Sequence, residues 1–165
     1  MVKQNENWQD RRYDKWQNEW VASANHMKLV FAALPENEGF ARVAVAAFMT
    51  QLNPVLEEVD DVKTAVSEAV TNSIIHGYEN QNNGRCEIEL AAFLTEQCLH
   101  IKVQDTGVGI ENIDKAMEPL FTTKPELERS GMGFAFMEAF MDELDVESVP
   151  GEGCTVYMSK QIGGQ

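Results

Sequence analysis

Two stretches decide the fold of this chain: SEAVTN at residues 67–72 and DTGVGI at residues 105–110. The first lies inside a long pattern of helical spacing, and the second ends a strand of alternating apolar residues. A third stretch, SGMG at residues 130–133, opens the next predicted helix. Each motif alone is weakly specific. Their order predicts the walls of a nucleotide site, built from one helix face, one strand end and one helix start.

The pattern around these stretches predicts a strand at residues 28–34, a helix capped by Asn37, and a helix from Leu56 or Glu57 to Gly77. The first of these helices has an apolar stripe that we expect to face the core, formed by Phe40, Val43, Ala44, Ala47 and Phe48. Two strands, a loop, a helix from Gly133 to Met141 and a final hairpin follow. This order predicts an α/β two-layer sandwich, in which a mixed, largely antiparallel sheet has helices on one face.

The length of 165 residues suits one domain, and we expect it to span residues 27–165. Residues 1–26 contain all three tryptophans among many polar residues. We expect this segment to be disordered, or a non-native extension preceding an original start at Met27, because it has little apolar surface to offset its ordering entropy. The alternative is a helix that binds a partner or a membrane surface.

The net charge of −14, from 13 basic and 27 acidic residues, disfavours general binding of nucleic acids. No apolar run is long enough to cross a membrane and no signal peptide begins the chain, so we expect a cytoplasmic protein without membrane contact. The three cysteines and three histidines are scattered, which gives no case for a structural metal.

Glu68 and Asn72 are four residues apart in a helix and therefore project from the same face. Asn72 can give Mg²⁺ a neutral oxygen ligand, and Glu68 can deprotonate or orient an attacking hydroxyl or water. The alternative is a solvated surface pair. The polar residues Thr71, Ser73 and His76, in a helix that is otherwise typical of a buried one, favour a functional site.

Asp105 follows the alternating strand at residues 99–103, so its carboxylate lies at the edge of the predicted sheet. It can accept a hydrogen bond from the exocyclic amine of adenine, which guanine lacks at that position. Gly107 and Gly109 allow close approach of the backbone to the base. The alternative is an ordinary turn.

The segment from Ser130 to Gly133 places small residues where a loop becomes a helix, and helix N-termini bind anions. Lys124 and Arg129 are the nearest cations and can reach the phosphates of a nucleotide when the preceding loop closes. The alternative is a glycine hinge in front of a core helix.

The segments 68–72, 105–109 and 131–133 resemble the N, G1 and G2 boxes of the GHKL ATPase superfamily. More narrowly, residues 66–72, 75–78 and the stretch PLFTTKPELERSGMGF at residues 119–134 resemble the anti-sigma F factors of spore-forming bacteria, a family of serine protein kinases. The resemblance extends from about Met27 to about Lys160, and residues 1–26 have no counterpart in it.

This resemblance implies an anti-sigma factor that inhibits a sporulation sigma factor and uses ATP and Mg²⁺ to phosphorylate a serine of an anti-anti-sigma protein. It implies that Glu68 is the catalytic base, Asn72 the magnesium ligand and Asp105 the adenine-binding carboxylate. Arg42 would lie on the partner-binding surface, and the unpaired first strand would serve a homodimer. Further nucleotide contacts would come from Gly107, Gly109, Thr123, Lys124, Arg129, Ser130, Gly131, Gly133 and Thr155.

Two alternatives to this kinase remain open. One is the ATP-binding domain of a sensor histidine kinase, which is disfavoured because residues 1–26 are too few to form a helical dimerisation segment with a phosphorylatable histidine. The other is a binding module that uses ATP only as a structural ligand. Glu68 argues against that module, since binding alone needs no base beside the metal ligand.

Overall fold

The protein is described here by a computed structural model that covers residues 6–79, 86–118 and 133–163, with side chains from residue 12 onward. The helices in these ranges are α1 Glu6–Ala22, α2 Pro35–Met49, α3 Leu56–Asn72, α4 Ile113–Ala116 and α5 Gly133–Phe140. The strands in the same ranges are β1 Asn25–Ala32, β2 Glu87–Thr95, β3 Cys98–Gln104, β4 Glu143–Val149 and β5 Gly153–Gln161. A short 3₁₀ turn, Thr50–Leu52, follows α2, and a π-helical turn, Ser73–Gly77, extends α3.

The strands form one sheet in the order β1-β2-β3-β5-β4, and each neighbouring pair is antiparallel. The register places Leu90 opposite Val103 and Val103 opposite Val156 across the three central strands. The prediction of a two-layer α/β sandwich is confirmed, and the sheet is antiparallel throughout the described pairs. Strands β1 and β4 are its edges.

The main core lies between the sheet and the helices α2, α3 and α5. Helix α3 buries Val62, Val66 and Val70 at helical spacing, as its pattern predicts. The sheet contributes alternate residues of each strand, because side chains of a strand point to opposite faces in turn. The fully buried sheet residues on this side include Ile88, Leu90, Ala92, Leu99 and Ile101.

The prediction for the buried face of α2 is wrong. The helix buries Ala41, Val45 and Met49, whereas Phe40 and Val43 of the predicted stripe are 61% and 56% exposed. Both stripes have helical spacing, and packing against α3 selects the one that is buried. Phe48 of the predicted stripe is partly buried and packs against the core. The helix also begins at Pro35, two residues before the predicted cap Asn37, whose side chain donates to the carbonyl of Ala32.

The N-terminal segment differs from the expectation of disorder, because residues Glu6–Ala22 form helix α1. This helix lies on the sheet face opposite α2, α3 and α5, where Trp16 is buried against Phe93 and Tyr157. Trp16 buries apolar area against these two aromatic residues of the sheet, and the mostly polar composition of the segment does not predict this contact. The predicted start of the domain at residue 27 stays a prediction, and β1 already begins at Asn25.

No helix in the described ranges is long and apolar enough to cross a membrane.

Candidate functional site

Glu68 and Asn72 lie on the last turn of α3, and the start of α5 packs directly against them. A Cβ atom built on Gly133 would lie 3.1 Å from Glu68 Oε2, 3.1 Å from Asn72 Nδ2 and 3.2 Å from Asn72 Oδ1. A side chain at position 133 would therefore press against both the Glu68 carboxylate and the Asn72 amide. The structure brings the predicted base, the predicted metal ligand and the first residue of the predicted anion-binding helix to one place.

A cavity of about 840 Å³ opens in front of this junction, a volume typical of a site for a small-molecule ligand. Its walls come from the end of α3 with its π-helical turn, the segment after β3, the start of α5 and the β4–β5 turn. Among the predicted site residues, those that line it are Asn72, Asp105, Gly109 and Gly133.

Asp105 is the most buried charged group of the site, with 4% of its surface exposed. Its Oδ1 accepts the backbone N–H groups of Gly107, at 3.0 Å, and Cys154, at 3.3 Å. Its Oδ2 accepts the hydroxyl of Ser73 at 2.8 Å. Burial raises the pKa of the Asp105 carboxyl, and these three hydrogen bonds oppose that rise by stabilising the carboxylate.

Three glycines around Asp105 allow backbone segments to touch. A Cβ on Gly107 would lie 2.0 Å from the carbonyl oxygen of Gly77, and one on Gly77 would lie 2.9 Å from the Asp105 carboxylate. The N–H of Val108 donates to that same Gly77 carbonyl at 2.9 Å. Gly153, at a φ of +108°, approaches the Asp105 carbonyl so closely that a Cβ would lie 2.2 Å from it. These contacts hold the segment after β3 against the end of the π-helical turn and against the start of β5.

Gly109 serves a different contact, between the segment after β3 and the β4–β5 turn. Its φ is +75°, and a Cβ there would lie 2.4 Å from the carbonyl oxygen of Val149. The neighbouring N–H of Ile110 donates to Ser148 Oγ at 2.7 Å, and that hydroxyl donates to the carbonyl of Gly153 at 2.8 Å. The glycine and the serine together hold one rim of the cavity.

The position of Thr155 does not fit its predicted contact with the base. Along β5, Val156 and Met158 belong to the core beneath α3 and α5, whereas Tyr157 lies under α1 on the opposite face. Thr155 shares the parity of Tyr157, so alternation turns it away from the cavity. Cys154 lines the cavity instead. Burial, followed by the charge of Asp105, raises the pKa of the Cys154 thiol to about 12, so the thiol is protonated at neutral pH.

The remaining predicted residues lie elsewhere. Arg42 is on α2, outside the cavity, where it pairs with Glu38 at 3.2 Å and lies 3.5 Å from the hydroxyl of Ser67. Its side chain is 43% exposed. The other predicted nucleotide contacts, Thr123, Lys124, Arg129, Ser130 and Gly131, lie outside the described residues.

Sequence reasoning missed the roles of Gly77 and Cys154 in building the site, and it named Ser73 only as one of several polar residues of the helix, without a role of its own. Ser73 directly follows Asn72, and its polar side chain in an apolar helix was the available signal. Gly77 marks the end of the helix, which conceals its second role against Asp105 and Gly107. The position of Cys154 follows from strand parity, which could have been counted from the alternation of Val156 and Met158.

The fold and the cavity define an ATPase domain of the histidine kinase type. The family model described as "Histidine kinase-like ATPase domain" matches residues 31–160. A crystal structure of the RsbU and RsbW domains of a Mycobacterium tuberculosis protein is similar in fold, with a TM-score of 0.59 and 17% sequence identity. That match covers 84% of this chain and 32% of the other, so this chain spans about a third of that protein's crystallised length.

Curated relatives are far more similar in sequence. The chain is 57% identical over 140 residues to the anti-sigma F factor of Clostridium beijerinckii, covering 85% of this chain and 96% of that protein. The anti-sigma F factor of Geobacillus thermodenitrificans is 57% identical over 138 residues, with 84% and 93% covered. That of Bacillus licheniformis is 51% identical over the same length and coverage. The chain belongs to the anti-sigma F factor family.

Proposed function

We propose that the protein is an anti-sigma factor and a serine protein kinase, which binds a sporulation sigma factor and phosphorylates an anti-anti-sigma protein with ATP. The observation that supports this most directly is the meeting of Glu68 and Asn72 at Gly133. A carboxylate and an amide on one helix turn, packed against the glycine that begins α5, can serve a phosphate group and the hydroxyl that attacks it.

In the proposed reaction, Glu68 accepts the proton of the substrate serine. The serine oxygen attacks the γ-phosphorus of ATP, the bond from that phosphorus to the bridging oxygen breaks, and ADP leaves with the electron pair of that bond. The products are phosphoserine, ADP and a proton held on Glu68, which later passes to solvent. Glu68 lies on α3, and its carboxylate is held close to the start of α5.

Asn72 is the residue that would hold Mg²⁺. When bound, the ion neutralises charge on the phosphate oxygens as the phosphoryl group moves. In the described ranges, no three of the His, Cys, Asp and Glu side chains converge into a metal site. A single amide oxygen suits Mg²⁺ because this ion keeps several water ligands and shares the phosphates of its nucleotide. The small residue Gly133 leaves space in front of the amide.

Asp105 is proposed to bind the exocyclic amine of adenine, and Gly107 and Gly109 to frame the base. Hydrogen bonds from two backbone N–H groups and one hydroxyl orient the carboxylate in the cavity wall. The phosphates are proposed to meet Gly133 together with Thr123, Lys124, Arg129, Ser130 and Gly131.

The protein partners are proposed from the family and from two surfaces. Arg42, partly exposed on α2 beside the exposed Phe40 and Val43, is proposed to contact the sigma factor and the anti-anti-sigma protein. Strand β1 is an edge of the sheet, and its open edge is proposed to take part in a homodimer. A cytoplasmic location is proposed together with these partners.

The decisive experiment is phosphoryl transfer with Glu68→Gln. The protein is incubated with labelled ATP, magnesium and the anti-anti-sigma protein of its own organism, and phosphoserine is measured. We expect Glu68→Gln to keep nucleotide affinity within a few-fold but to lower the transfer rate by about 10²–10⁴-fold, the usual contribution of a general base.

The matched control is Glu57→Gln, the same change at an exposed residue near the start of the same helix. It should transfer phosphate like the unmodified protein. Unchanged transfer by Glu68→Gln would remove the assigned base. ATP binding without transfer by the unmodified protein would instead favour a module that uses ATP as a structural ligand.

A further inference from the structure

Ser73 is a buried hydroxyl whose position the family resemblance does not explain. It is the first residue of the π-helical turn after Asn72, is 6% exposed, and lines the cavity. Its Oγ donates to Asp105 Oδ2 at 2.8 Å, across an interval of 32 residues in the chain. Turns of π-helix inside α-helices often occur at functional sites, and this one directs a hydroxyl at the buried carboxylate.

The two oxygens of Asp105 are used differently. Oδ1 accepts two backbone N–H groups, from Gly107 and Cys154, which hold it against the chain. Within the described residues, Oδ2 accepts the Ser73 hydroxyl. An ionised carboxylate oxygen can accept more than one hydrogen bond, so Oδ2 keeps capacity for a ligand.

The direction of the Ser73 bond determines what the cavity presents to a base. Because an ionised carboxylate can only accept, the serine O–H must donate to Oδ2, and its remaining lone pairs are acceptors. Asp105 and Ser73 therefore present a pair of acceptors to the base. Adenine offers an exocyclic amine at this edge, whereas guanine offers the O6 acceptor, which such a pair repels.

We propose that Ser73 is a positioning residue that sets the purine preference of the site, by fixing Asp105 as a charged acceptor and adding a second acceptor beside it. The inference deepens the proposed nucleotide function and rests on it. It assigns to a hydroxyl, rather than to the carboxylate alone, a share in the rejection of guanine nucleotides.

The purine preference should depend on pH, because it rests on the charge of Asp105. Burial raises the pKa of this carboxyl, and loss of the Ser73 donor raises that pKa further. The protonated carboxyl can donate to O6 of guanine, so a protein without the hydroxyl should accept guanine nucleotides better as the pH falls. The other titratable groups lining the cavity are His76, Glu79, Glu111, Lys115, Glu118 and Cys154.

The test measures the affinities of ADP and GDP by calorimetry, since these diphosphates carry the two bases and are not substrates for transfer. We expect Ser73→Ala to lower the ratio of ADP to GDP affinity by about tenfold near pH 8, the usual effect of one hydrogen bond to a charged group. The ratio should fall further at a lower pH, at which the ratio of the unmodified protein should change less.

Three controls separate positioning from simple damage. Ser73→Thr keeps the hydroxyl and should restore the preference. Thr64→Ala removes a hydroxyl that bonds the carbonyl of Asp60 on the same helix, outside the cavity, and should leave the ratio unchanged. Repeating the pH series in a His76→Gln background removes the contribution of the histidine in the cavity wall.

An unchanged ratio in Ser73→Ala at both pH values would overturn the inference while leaving the nucleotide site intact. Failure of the unmodified protein to bind ADP would instead overturn the proposed function. Should Ser73→Ala not fold, Ser73→Cys offers the same comparison, because its thiol is a weak donor of similar volume.

Discussion

Asp105 illustrates how a single residue can depend on distant parts of the chain. Its three hydrogen bonds come from the π-helical turn, from its own loop and from β5. Without such donors the pKa of a buried carboxyl would be higher, because desolvation disfavours the charged form. The group would then stay protonated up to a higher pH. Three hydrogen-bond donors therefore stabilise the charged form of this one side chain. Such an arrangement is expected of a carboxylate that functions in its ionised state.

We expect Asp105→Asn to lower the affinity for ADP by about 10–100-fold, because the amide replaces an acceptor with a donor and loses the charge. Calorimetry with ADP measures the change. The matched control is Asp114→Asn, an exposed carboxylate in the first turn of α4 that does not line the cavity. Equal affinity of Asp105→Asn and the unmodified protein would contradict the assignment of the base-binding residue.

The helices and strands show which parts of a sequence pattern determine structure. Periodicity located α3, β2, β3 and α5 because each buries apolar residues at the spacing of its own secondary structure. It placed the wrong face of α2 inward, because that helix has two apolar stripes and only packing against α3 chooses between them. It gave no helix for Glu6–Ala22, where Trp16 buries a large area against a sheet that is formed by distant segments.

The candidate site likewise contains residues that the sequence predicts and residues that it does not. The residues of the α3 turn and the β3 end were predictable, since each lies within one element and its motif is local. Gly77 and Cys154 were not assigned, because their roles arise from contacts between the ends of different elements. The misplacement of Thr155 came from a one-residue error, which in a strand exchanges one face for the other.

A glycine within a helix and a glycine after a strand should respond in opposite ways to substitution by alanine. Gly39 lies in α2 with no atom within 4 Å of a built Cβ, so Gly39→Ala should raise the free energy of unfolding by about 1 kcal/mol through helix propensity. Gly107→Ala should lower it by about 1–3 kcal/mol or more, because its Cβ would overlap the Gly77 carbonyl.

Urea denaturation of both variants measures these two changes, and each serves as the control for the other. The Gly107 variant should also lose affinity for ADP, since the Gly77 contact holds the Asp105 loop. Equal stability of the two variants would show that the Gly77 and Gly107 backbones are not packed as described.

The sheet is covered by helices on both faces. The helices α2, α3 and α5 cover one face and hold the nucleotide cavity, whereas α1 covers the other. Beneath α1, His100 stacks on Phe93 with ring centroids 4.4 Å apart, and its Nε2 lies 2.7 Å from Thr95 Oγ1. Its Nδ1 lies 3.9 Å from a carboxylate oxygen of Glu19 on α1.

This arrangement predicts a loss of stability in mild acid. Burial lowers the pKa of His100 below its usual value, an effect that the charges of Glu19 and Glu143 oppose. The unfolded chain therefore binds the proton more readily than the folded one, so the free energy of unfolding should decrease as the pH falls below about 6.5.

Urea denaturation between about pH 8 and about pH 5.5 tests this prediction. His100→Gln should show a smaller decrease than the unmodified protein over this range. The matched control is His26→Gln, at an exposed position whose ring packs against Trp20 at a tilted angle, and it should retain the decrease. Parallel curves for His100→Gln and the unmodified protein would contradict the assignment.

The confinement of every tryptophan to α1 has a spectroscopic consequence. Fluorescence excited selectively in tryptophan would therefore report on this one helix and on no other element. An emission maximum that shifts to the red before the far-ultraviolet circular dichroism of the sheet is lost would show the helix detaching first. The chain thus contains a built-in fluorophore for the face of the sheet that lies away from the nucleotide.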